Sequence, residues 1–107
     1  MRPPSGVVIV VFQLPAGTPS SVANRLGQKL YGQETTKNGG KYRYRKPGLL
    51  DGIPHRKLRR GVVIVRARDE NAVREFLAAW NVTVEVRVIR PVAQDLKALS
   101  EVREARP

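Results

Sequence analysis

Between Lys37 and Arg60 the chain carries nine lysines and arginines against a single acid, Asp51. Two tyrosines sit inside that run, in Lys41-Tyr42-Arg43-Tyr44-Arg45-Lys46, and a second cluster follows at Arg56-Lys57-Leu58-Arg59-Arg60. Ammonium and guanidinium groups neutralise phosphates, and aromatic rings stack on unpaired bases, so this spacing has the chemistry of a nucleic-acid contact surface. Arginine adds two-point recognition of phosphate oxygens. The expected contact residues are Lys41, Tyr42, Arg43, Tyr44, Arg45, Lys46, Arg56, Lys57, Arg59 and Arg60. The two tyrosines also admit a plainer use, as packing residues on the core face of a strand.

The rest of the chemistry-bearing residues form no catalytic set. His55 is the only histidine. It is a general-base candidate for RNA cleavage, with Tyr44 and Lys57 near in sequence, but a lone histidine in a basic stretch is ordinarily a surface residue. The acids Glu34, Asp51, Asp69, Glu70, Glu75, Glu85, Asp95, Glu101 and Glu104 are scattered. They show neither metal-ligand spacing nor an acid–base pair. Asn38-Gly39-Gly40 lacks the following helix that a phosphate-binding loop requires. With no cysteine there is no disulfide framework, thiol nucleophile or thiolate zinc site. No cofactor and no metal are expected, and binding is expected in place of catalysis.

Composition sets the frame for those residues. The 107 residues suit one domain, with a loose end over 1–6 and a frayed end over 103–107. An apolar fraction of 41% is enough for a core, and a net charge of +11 calls for a polyanionic partner. The longest apolar run, Val7 to Phe12, is too short to span a bilayer, so no membrane partner is expected, and the lack of cysteine suits a cytoplasmic setting. Many arginines with few Cys and Met are compatible with a thermophilic source.

The periodicities predict the elements that hold the cations. Val7 to Phe12 reads as a central strand covered on both faces. Thr18-Pro19 predicts a helix start, with Thr18 as cap, followed by Val22, Ala23, Leu26 and Leu30 at helical spacing and Gly32 as the stop. Residues 33–40 read as a loop, and Lys41 to Lys46 as a strand by strict alternation. Leu49-Leu50 tucks against the domain between two turns, and residues 53–60 read mostly as an exposed basic loop. Gly61 to Val65 is the next strand. Asp69 caps a second helix whose buried stripe is Val73, Phe76, Leu77 and Trp80. Val82 to Ile89 alternates as a half-buried strand, and Val92, Leu96, Leu99 and Val102 predict a short terminal helix. The order strand-helix-strand-strand-helix-strand predicts an α+β, ferredoxin-like βαββαβ sandwich, with an antiparallel sheet and two helices on one face. The other face is expected to be open, for nucleic acid or for a second subunit in a homodimer.

Three resemblances follow from those residues. Arg60-Gly61-Val62-Val63-Ile64-Val65-Arg66 resembles the third-strand segment of the RNA recognition motif, which implies RNA as partner. Val62 and Ile64 stand where that family carries stacking rings. The outline also looks like the CRISPR adaptation nuclease family, ferredoxin-like dimers that sit on DNA, which implies a metal-dependent nuclease. That family places an acid just after the first strand, where this chain has Gln13. Small ribosomal proteins of the same outline are similar in size and charge, and imply binding of structured RNA. The expected function is therefore a weakly sequence-specific nucleic-acid-binding protein, RNA favoured over DNA. The alternatives are an oligomeric assembly protein, with Leu49-Leu50 in its interface and an acidic protein partner, and thirdly the nuclease.

Overall fold

The structure, a computed structural model, describes residues 6–37 and 42–100, the side chains of 35–37 and 42–43 excepted. In chain order the elements are β1 (Val7–Gln13), α1 (Ser20–Tyr31), β2 (Gln33–Lys37), β3 (Tyr42–Lys46), a 3-10 turn (Leu49–Gly52), β4 (His55–Arg59), β5 (Val62–Arg66), a second 3-10 turn (Ala67–Asp69), α2 (Glu70–Ala78), β6 (Thr83–Ile89) and α3 (Ala93–Ser100). The fold is α+β. Four strands form an antiparallel sheet in the order β4-β5-β1-β6, while β2 and β3 pair only with each other.

The apolar run of β1 does what such a run must do, which is to fill both faces of a central strand. On one face Val8, Val10 and Phe12 join Val63, Val65 and Val86 beneath Leu26 and Leu30 of α1 and Val73 and Leu77 of α2. Leu30, Leu50 and Leu77 are fully buried, each worth roughly 1.5–3 kcal/mol in transfer from water. On the opposite face Val7 and Ile64 pack against Leu99 of α3, with Ile9 and Ile89 beside them. That second face is therefore partly covered by α3, and not open as expected.

Two strands appear where loops were expected. Residues 33–37 are β2, whose sequence Gln-Glu-Thr-Thr-Lys carries no apolar residue because its hairpin stands off the main core. Residues 55–59 are β4, an edge strand, and one partner is enough to hold a polar strand there. Consequently β4, and not the Lys41–Lys46 segment, is the strand beside β5.

Helix ends also differ in detail. The Thr18 hydroxyl donates to the Pro15 carbonyl at 2.6 Å and so shapes the preceding turn, while α1 begins at Ser20. Gly32 ends α1 as expected, with φ +93° and its N–H donating to Gln28 O at 2.9 Å. Asp69 does not cap α2 through its side chain; its carboxylate accepts from Arg66 Nε at 3.0 Å. The expected loose and frayed ends lie outside the described residues, except that Gly6 is held by its carbonyl accepting the Ala67 N–H at 2.8 Å.

Candidate nucleic-acid interface

The cationic side chains meet three different fates, set by the element that carries each. Arg45, on β3, closes the hairpin onto the end of α1. Its Nη2 donates to both Asp51 oxygens, at 2.8 and 2.9 Å, and to the Tyr31 carbonyl at 2.7 Å. The Gly48 N–H adds a 2.7 Å bond to Asp51. Burial pushes the Asp51 carboxyl up, but the Arg45 and Gly48 hydrogen bonds and the guanidinium charge together hold it below the usual carboxylate range. Gly48 is required there, since a Cβ would lie 2.4 Å from the Gly32 nitrogen. Beneath this root sits the fully buried Leu50, with Leu49 packed half-buried against the same core, so the Leu49-Leu50 pair is not an exposed interface.

Arg56 is the second committed cation. Its register opposite Ile64 turns it to the α3 face, where Nη1 donates to Asp95 at 2.6 Å. Asp95 also accepts the Val92 N–H at 3.0 Å, at the start of α3. The Val92 bond, against the opposing effect of burial and with help from Arg56, lowers the Asp95 carboxyl below its ordinary value. Arg56 and Asp95 thus strap α3 across the edge of the sheet.

Lys57 and Arg60 go to the other face and converge on α1. The Lys57 ammonium stands 4.0 Å over the Tyr31 ring, a cation–π contact. The Tyr31 hydroxyl accepts the Gly61 N–H at 3.1 Å, and burial raises its pKa against the lowering effects of that bond and of Arg60. Arg60 Nη2 donates to the Ala23 carbonyl at 3.1 Å and lies along Gly27, where a Cβ would sit 3.3 Å from Nη2. Asn24, Gly27, Gln28, Tyr31, Gly32, Lys57 and Arg60 line an open groove of about 340 Å³. Arg60 also borders a smaller neighbouring cleft of about 140 Å³, whose floor includes Phe12, Leu14 and Leu26.

The remaining expected contacts are exposed or outside the description. Lys46, Arg59 and Tyr44 are exposed, Tyr44 at 41%. The core-face alternative therefore fails for Tyr44, because its hairpin is not part of the main sheet. Tyr42 and Arg43 belong to β3 by backbone, but their side chains, like all of Lys41, lie outside the described residues. The groove residues absent from the sequence reading are Gly27 and the side-chain bearers Asn24, Gln28 and Tyr31. Their spacing of four and three places them on one stripe of α1, a signal readable from helical periodicity.

The catalytic candidates find other roles. His55 is half-buried at the start of β4, and its Nδ1–H donates to the Ile53 carbonyl at 2.8 Å. Gln13 ends β1 beside Thr83, Glu85 and Arg87, and Glu85 is bonded to Arg87 at 2.8 Å. Among the described residues no three His, Asp or Glu side chains gather as a metal site, and no helix is long and apolar enough to cross a membrane. No family model, curated protein or solved structure matches this chain.

Proposed function

We propose that the chain is a small nucleic-acid-binding protein that captures phosphates electrostatically and catalyses no reaction. One observation carries the reading. Lys57 and Arg60 line a single groove with the Asn24 and Gln28 amides, while Arg59 and Lys46 stand exposed outside every described ion pair. Two cations at a groove with neutral amides suit a phosphate flanked by sugar or base edges. The exposed Tyr44 offers a ring to an unpaired base, which favours single-stranded RNA over duplex. Sequence preference would be weak, because few side chains are placed to read base edges. A cytoplasmic setting belongs to the same proposal.

The scaffold we assign to it is ferredoxin-like. Support comes from the chain order β1-α1-β4-β5-α2-β6, with sheet order β4-β5-β1-β6 and both crossover helices packed on one face. The hairpin β2–β3 is then an insertion between α1 and β4.

The test is a titration of labelled single-stranded RNA, single-stranded DNA and duplex against the protein over a series of salt concentrations. Binding that weakens steeply with salt, tightest for single-stranded RNA, is the expected outcome. Absence of binding at low salt, or affinity indifferent to salt, refutes electrostatic capture.

A further inference from the structure

The four-stranded sheet ends in two edges of unlike character. β4 is guarded in the usual ways: it is five residues long, its register shifts between Lys57 and Arg59, and it carries three cations. β6 is neither short nor shifted in register, and its one cation, Arg87, is offset by Glu85. Its seven residues pair with β1 in unbroken register from Thr83 to Ile89, without proline or bulge, and Val88 is 56% exposed. An unguarded edge of this kind is a template for another strand.

The sequence of β6 says which strand fits it. We propose that β6 pairs antiparallel with β6 of a second copy about a two-fold axis at Val86, joining two sheets into one of eight strands. In that register Glu85 faces Arg87 of the second copy and Arg87 faces its Glu85. Val84 and Val88 face each other twice, and Val86 meets itself. Glu85 and Arg87 share the α3 face of the sheet, with side chains 59% and 70% exposed, so both are available to an opposing charge. The valines share the face of α1 and α2, so the exposed Val88 would be covered by Val84 of the second copy.

Neighbouring registers fail on the same chemistry. An axis at Glu85 sets carboxylate against carboxylate, and an axis at Arg87 sets guanidinium against guanidinium. An axis between two residues is excluded by geometry, because it would oppose side chains of opposite faces, whereas a two-fold normal to the sheet keeps each face on its own side. Only the axis at Val86 is complementary in both charge and polarity, which is what an isologous contact demands. The inference does not depend on nucleic-acid binding.

The experiment is sedimentation equilibrium on the full chain over a concentration series, without nucleic acid. The wild type is expected to dimerise. Glu85→Arg and Arg87→Glu, each placing like charges opposite one another twice, should each weaken the dimer by about tenfold or more. The double exchange E85R/R87E should restore it, and an equimolar mixture of the two single variants should form the heterodimer. Val88→Lys, on the opposite face, should weaken it as well. A wild type that stays monomeric at its highest soluble concentration overturns the proposal. So does a dimer unmoved by the single charge reversals, a double exchange that fails to recover it, or a dimer indifferent to Val88→Lys, which would place the contact on the sheet faces.

Discussion

The salt dependence of binding separates contact cations from scaffold cations. On the proposed function four described cations serve as contacts, Lys46, Lys57, Arg59 and Arg60, whereas Arg45 and Arg56 are bonded to Asp51 and Asp95. Each phosphate neutralised on a single strand contributes about 0.7 to the slope of log affinity against log salt, so four give about −2.8. Between about 50 and 200 mM salt these four contacts should by themselves cost about fiftyfold in affinity. The triple variant K57A/R59A/R60A keeps one of these four, so its slope should be flatter by about 2.1 and its loss over the same interval about twentyfold smaller.

Fluorescence anisotropy of a labelled single strand reads both slopes, and Trp80 fluorescence confirms that the variant is folded. Arg56→Met is the control. It removes one positive charge from the α3 strap, so it should lower stability and leave the slope where it was. Equal slopes for the wild type and the triple variant would refute the assignment of these side chains to phosphates. A flattened slope in Arg56→Met would refute the division into contacts and scaffold.

The hairpin root and the edge turn make further predictions. Asp51 is held below its ordinary pKa in the folded chain, so its contribution to stability is present above the unfolded value, about 3.9, and is lost as pH falls through the lower folded value. Asp51→Asn should therefore be less stable than wild type at neutral pH, and the difference should close in acid, as read by urea unfolding at several pH values. Leu50→Ala opens a cavity at a fully buried site and should cost about 2–5 kcal/mol in the same assay. Gly61 has φ +87°, and a Cβ there would lie 2.9 Å from the Phe12 carbonyl oxygen, so Gly61→Ala should cost at least about 1 kcal/mol.

What could be read from the sequence tracks what touches the core. β1, α1, β5, α2 and β6 show apolar periodicity because one face of each, or both, is buried. β2 is invisible to that signal since its sequence, Gln-Glu-Thr-Thr-Lys, holds no apolar residue and it pairs only with β3. β4 hides for another reason. Its alternating faces carry Arg56 toward Asp95 and Lys57 toward Tyr31, and the register shift after Lys57 breaks the period. In α3, Leu96 and Val92 are exposed despite their helical spacing, and the buried contacts are Leu99 and the carboxylate of Asp95. The cation run itself was legible. Which of its members the fold consumes was not, because Arg56 finds its acid 39 residues away by tertiary proximity alone.

The fold also makes a claim on the groove cations, and magnitudes decide whether it exhausts them. Lys57 stands over Tyr31 in the last turn of α1, whose carboxyl end offers about half a negative elementary charge, whereas Arg60 reaches back to the Ala23 carbonyl in the first half of the helix. Arg45 already donates to the last carbonyl of that helix, with its own charge matched by Asp51. Even if both positive charges faced that half charge, a surplus of roughly one and a half would remain, and no acid among the described residues lines the groove. The helix end therefore accounts for where Lys57 lies but not for Arg60, nor for the number of cations. On the proposed function a bound phosphate would reduce their mutual repulsion, so added phosphate should stabilise the folded chain.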